Sequence, residues 1–188
     1  MSLLLLLAAA VMPLSWQGRA VVHDDRRRIA ITVRSRVEAS GRVISESWPT
    51  AIGEAKGLRR FILEPTGTGT IERGGRREAA PADFVREEQG QFGFYQLMQQ
   101  AAHQCAWSGA RGIDDIDMGD PLGTHFACDK GFLTSAWNRV DRSGTPIRQQ
   151  FRMRGWWRDG DAFFPKRLEI RRDGKPFFDL DVTRFRGR

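Results

Sequence analysis

Cysteine is nearly absent from this 188-residue chain, and so are tyrosine, histidine and lysine. Two cysteines, Cys105 and Cys128, are the whole thiol inventory. That excludes a Cys-rich metal cage, and His23, His103 and His125 supply no recognised ligand spacing. No metal or cofactor is therefore expected. No G-x-S-x-G nucleophile elbow occurs. Apolar runs are scarce too: the one at Leu3–Leu14 is shorter than the ~20 residues a membrane helix needs. Lys56, Lys130, Lys166 and Lys175 are the only lysines, so arginine carries almost all of the positive charge.

The Leu3–Leu14 run, followed by small residues at Gly18 and Ala20, has the form of a secretory leader with an A-x-A-like cleavage site. The sequence thus predicts a signal peptide over 1–20, a mature chain from Val21, and a periplasmic or secreted product. The alternative is an N-terminally membrane-anchored protein. Residues 21–188 are enough for one domain with a genuine core. In an oxidising compartment the cysteine pair predicts a disulfide. It would contribute about 3 kcal/mol in the chain-entropy model.

Periodicity divides the mature chain into strands, a helix, then strands. Ile29, Ile31, Val33 and Val37 alternate with Arg28, Thr32, Arg34 and Arg36, and a hairpin partner follows at 42–48. A second pair is expected at 58–63 and 68–73. Phe94, Leu97, Met98, Ala101, Ala102 and Cys105 fall on one face of a helix starting near Phe92, with Gln96, Gln99, Gln100, His103 and Gln104 opposite. Pro81–Phe84 would open a shorter, separate helix. Residues 109–123 read as a loop. Five more strands are expected at 124–128, 132–140, 147–157, 163–172 and 176–185, linked by tight turns. Their apolar residues would face the helix, and Arg148, Arg152, Arg154, Arg167 and Arg171 would face water. The fold class is mainly β (α+β): a curved antiparallel sheet or half-barrel wrapped around a central helix.

This order, with the closing hairpin Phe163-Phe164-Pro165-Lys166-Arg167-Leu168-Glu169-Ile170, Asp173-Gly174-Lys175-Pro176 and Leu180–Phe185, resembles the periplasmic lipoprotein-carrier superfamily of Lol-type half-barrels and related exported families. The resemblance implies an open barrel, no enzymatic activity, and an apolar ligand such as a lipid or acyl chain held between sheet and helix. The side chains expected there are Phe94, Leu97, Met98, Phe151, Trp157 and Leu180. No cysteine follows the apolar run, so the lipid-anchored receptor branch is not matched, and no binding residue is carried over.

Other readings stand beside it. The arginine-rich face suits a structural or interaction module of the envelope on an anionic membrane surface. Nucleic acid is not an expected partner, because no recognised motif accompanies the charge. A hydrolase using His125 lacks a nucleophile. Asp114, Asp115, Asp117 and Asp120 do not have EF-hand spacing and read as a turn-rich loop. Trp156-Trp157 and Phe163-Phe164 put aromatics on both shoulders of one hairpin, either as a ligand wall or membrane-contacting tip, or as core and edge cover.

Overall fold

A computed structural model describes residues 11–24, 27–108, 115–142 and 145–187. Strands β1 (Leu14–Asp24), β2 (Arg27–Val37), β3 (Val43–Pro49), β4 (Arg59–Leu63), β5 (Gly69–Arg73) and β6 (Arg76–Ala79) precede a long helix, with the short helix α1 (Glu54–Gly57) after β3. The long helix α2 (Ala82–Ser108) is followed by β7 (Asp115–Asp117), β8 (His125–Asp129), β9 (Phe132–Arg142), β10 (Thr145–Asp159), β11 (Ala162–Arg172) and β12 (Lys175–Gly187). All twelve strands join one antiparallel sheet in the order β6-β5-β4-β3-β2-β1-β12-β11-β10-β9-β8-β7. The sheet is curved and unclosed, as the alternation of apolar and charged residues predicts, and α2 lies in its concave side.

Three short hairpin links take left-handed backbone at both central residues, Gly74-Gly75, Lys130-Gly131 and Asp173-Gly174. That is the conformation whose twist matches the flanking strands. Along α2, Val85, Phe92, Phe94, Tyr95, Met98, Ala101, Ala102 and Cys105 are buried against the sheet. Phe94 stacks on Phe151 with ring centroids 3.8 Å apart and on Phe126 at 5.3 Å. Each such ring removed from water contributes about 1.5–3 kcal/mol. That gain explains why α2 is one helix rather than the two pieces expected: Gly90 and Gly93 cost roughly 1 kcal/mol each, less than the anchors on either side return. The strands β6 and β7 were also not expected. Both are short edge strands, too brief to show alternation. Residues 109–114 of the expected loop lie outside the described residues.

Two glutamines, expected on the watery side of the helix, instead clamp main chain. Gln99 is buried; its side-chain N–H donates to the Phe163 carbonyl at 2.7 Å, and the Phe163 N–H donates to its Oε1 at 2.8 Å. Gln96 grips Met12 in the same two-bond manner, at 2.9 and 3.1 Å. The Cys105–Cys128 disulfide ties the last turns of α2 to β8, with Cα atoms 5.9 Å apart.

Strand β1 begins upstream of the leader boundary expected after Ala20. It bridges β2 and β12, in register from Leu14↔Val37 and Leu14↔Gly187. Leu14, Trp16 and Ala20 are buried, and a Cβ added at Gly18 would collide with the Asp181 carbonyl and lie 2.9 Å from Leu180 Cδ1. Gly18, one of the small residues that resemble a cleavage signature, is therefore also what lets β1 approach β12 closely.

Replacing Gln99 by Leu leaves the Phe163 N–H and C=O without the partners they have now, each costing about 1–3 kcal/mol. Urea unfolding of Gln99→Leu is expected to lose about 2–4 kcal/mol, while Gln100→Leu, at an exposed position on the same helix, stays within about 0.5 kcal/mol. Equal losses in the two variants would contradict the clamp.

Candidate functional site

The six side chains expected to line a ligand cavity are brought together, but mostly on one another. Phe94, Met98, Phe151 and Leu180 are fully buried in the core, and Leu97 and Trp157 pack against it half-buried. The Trp157 indole N–H donates to the Val182 carbonyl at 3.3 Å, and Lys166 Nζ sits 5.0 Å over its ring. None of the six lines either of two cavities formed by the described residues.

One of those cavities opens where α2 ends. It measures about 270 Å3 and lies between Ala102 and Ala106 of the helix, the β8–β9 turn with Lys130 and Gly131, Phe132 and Leu133 of β9, and Trp156, Arg158 and Phe163 of the β10–β11 hairpin. Small-molecule clefts are typically about 300–1,000 Å3, so this one falls just below that range. Its walls are apolar and its rim carries Lys130 and Arg158. Phe132 is 58% exposed, and Trp107, next along the helix from Ala106, is 90% exposed. Phe132, left largely in water at the cavity wall, extends its apolar surface outward.

Each wall is positioned by a separate device. The disulfide ties the helical wall to the β8–β9 turn. Gln99 fixes the main chain of Phe163. The Phe163 ring meets His103 edge-on at 5.4 Å, and the Arg158 guanidinium lies 5.3 Å above it. On the aromatic hairpin, Phe164 fills the core while Trp156 and Phe163 face the cleft. Half of each expected pair thus became wall and half became core or cover. Sequence periodicity named the hairpin but could not reach Ala102, Ala106 or Phe132, whose meeting depends on the disulfide and the long-range pairing of the sheet.

The remaining candidates are absorbed locally. The His125 ring stacks on Trp137 at 4.2 Å, and its Nδ1 lies 3.3 Å from an Asp115 carboxylate oxygen. Asp120 accepts from the N–H groups of Leu122 and Thr124 and from the Thr124 hydroxyl, holding a turn. Asp114 lies outside the described residues. Among those residues no group of three or more His, Cys, Asp and Glu side chains is placed to hold a metal ion. Arg148, Arg152, Arg154 and Arg167 are exposed, as the alternation predicted, and Arg171 is half-buried.

At the opposite end of α2 sits an acid with an altered affinity for protons. Burial, first, and the charge of Glu87, second, push the Glu88 carboxyl up to about 7 from its ordinary 4.5, against the pull of Arg59 and Arg172. The Tyr95 hydroxyl is also raised, by burial. Neither group lines either of those two cavities. A carboxyl that ionises later when folded than when unfolded destabilises the fold progressively from pH 4.5 to about 7, and fully above that. Glu88→Gln is therefore expected to match the parent in thermal melts near pH 4.5 and to exceed it increasingly up to pH 8. Roughly 2–4 °C is expected for each kcal/mol relieved. A gap independent of pH would refute the assignment.

No protein-family model matches the chain, and no curated protein matches it in sequence. Among solved structures, the fold is similar to that of a protein described as an outer membrane lipoprotein-sorting protein domain from Vibrio parahaemolyticus. The two align with a TM-score of 0.52 and 7% identity, over 94% of this chain and 85% of that one. The half-barrel expected from the sequence is thus shared with a known structure, and the identity level limits the likeness to fold. Among the described residues no helix is long and apolar enough to cross a membrane.

Proposed function

We propose that this is an exported, non-enzymatic protein that binds an apolar ligand, an acyl chain bearing an anionic head, in the cleft at the end of α2. The observation that carries this reading is the cleft itself: apolar walls from Ala102, Ala106, Leu133, Trp156 and Phe163, with Lys130 and Arg158 at the rim. An acyl tail would lie against the aromatic hairpin and its carboxylate or phosphate would meet the rim cations, a pairing strengthened by charge-assisted hydrogen bonds. Phe94, Met98, Phe151 and Leu180 belong to the core, with Leu97 and Trp157 packed against it, so in this reading none of the six touches the ligand. The fold likeness supports the reading at the level of architecture. The disulfide supports an oxidising compartment.

Export in this proposal places any leader cut upstream of Leu14, because removing residues through Ala20 would take out seven of the eleven residues of β1, the strand that joins β2 to β12. Both parts are read in one experiment. Native mass spectrometry of the protein recovered from the exported fraction is expected to give an N-terminus before Leu14 and a bound adduct of lipid mass. Titration with a fluorescent long-chain fatty acid is expected to saturate, and Ala106→Trp, which fills the cleft from an exposed position, to weaken binding about tenfold or more. A bare mass together with no saturable uptake would overturn the binding role. An N-terminus at Val21 on a folded protein would overturn the placement of the cut.

A further inference from the structure

The larger cavity lies on the other side of the sheet, away from α2. It is an open groove of about 580 Å3 whose lining comes entirely from β1, β2, β3, β12 and their flanking residues. It shares no residue with the cleft at the helix end. Leu14, Trp16, Val37 and Phe185 belong to the core on the concave side, so they present main chain to the groove. The side chains that project into it are the alternate ones.

Strand register arranges those side chains in two parallel rows. Ser15 pairs with Arg36 on one side and Arg186 on the other; Gln17 pairs with Arg34 and Arg184 in the same way. Neighbouring strands lie about 4.8 Å apart, which puts the two arginine Cα atoms of each row roughly 10 Å from each other across a short polar residue. The rows are about 7 Å apart along the strands. Four guanidinium groups therefore surround a floor that offers one hydroxyl and one amide, with Ile44 in the wall.

The charges are only half balanced. Arg34 Nε is 2.6 Å from Glu46, and its Nη2 is 2.8 Å from Glu54, so its fork is held in place. Glu46 is also shared with Arg60, at 2.8 Å. Burial raises the Glu46 pKa, but the hydrogen bonds from Arg34 and Arg60 outweigh it and the net shift is downward, so this carboxylate stays ionised and committed. Arg36 meets Glu38 at 3.3 Å. Arg184 and Arg186 are exposed and form no ion pair with any described residue. One bank of the groove is thus fixed by carboxylates and the other carries two arginines with no carboxylate of their own.

We infer that this groove binds a phosphate group, which Arg36, Arg184 and Arg186 grip from both banks while Ser15 and Gln17 donate from the floor. Guanidinium forks match phosphate oxygens in pairs, and a tetrahedral oxyanion accepts from several directions at once. Either a free phosphate compound or a phospholipid head group presents this chemistry.

The test uses the full chain and two probes: inorganic pyrophosphate by calorimetric titration, and phosphatidic-acid-containing vesicles by co-sedimentation against neutral vesicles. Arg184→Gln/Arg186→Gln is compared with Arg152→Gln/Arg154→Gln, which removes the same charge from exposed positions on β10. Saturable pyrophosphate binding that weakens about tenfold or more in the first variant and within about twofold in the second supports the site for free phosphate. The same pattern with vesicles alone supports the head-group source. No binding of either probe, or equal loss in the two variants, overturns the inference.

Discussion

A twelve-stranded sheet that does not close into a barrel exposes an apolar face far too large to leave in water, and here one helix has to cover it. Every other feature depends on how α2 meets that demand. The cover is made of rings and sulfur: Phe94 sandwiched with Phe126 and Phe151, Trp16 against Tyr95 and Phe164, and Met98 and Cys105 fully buried. Native packing density leaves no room for a ligand where the rings meet. The two cavities described above accordingly lie elsewhere, one at the end of α2 and one on the reverse of the sheet.

Apolar packing does not set where along the sheet the helix stops, because it is not directional. The directional contacts do that. Gln96 holds Met12, Gln99 holds Phe163, and Cys105 is bonded to Cys128. These three anchors reach the start of β1, the start of β11 and the end of β8. They place the last turns of α2 against the β8–β9 turn and the β10–β11 hairpin, which is how a cleft comes to be there. The same anchoring of Met12 and the close approach at Gly18 draw the N-terminal segment into the sheet, and with it Ser15 and Gln17, the floor of the arginine groove.

Much of the architecture was legible because it rests on local alternation. Strands β2 to β5 and β8 to β12 and the amphipathic face of α2 follow from period and spacing, and the disulfide follows from a lone cysteine pair expected in an oxidising compartment. Misreadings arose where tertiary contacts override local signals. Gln99 looked like a solvent-facing residue because sequence alone carries no sign of the Phe163 main chain it would meet. Gly90 and Gly93 argued for a broken helix, whereas burial on both sides keeps it whole. Leu14–Ala20 is an ambiguous pattern rather than a misreading: it suits the end of a leader and, equally, a central strand buried on one face, the form it takes here. The cleft and the groove were invisible for the same reason: Ala106 and Phe132, or Arg36 and Arg186, become neighbours only through pairings that span the length of the chain.

The central claim is that α2 and the strands it covers form one cooperative unit. Native-state hydrogen exchange on the oxidised protein tests this most directly, since segments sharing a core open together with the global free energy. The account predicts that amides of Phe94–Cys105 exchange as slowly as those of β1, β11 and β12, and that all of them respond alike to low urea. Helix amides that exchange orders of magnitude faster than the strands, with no shared response, would mean that the helix only rests on the sheet.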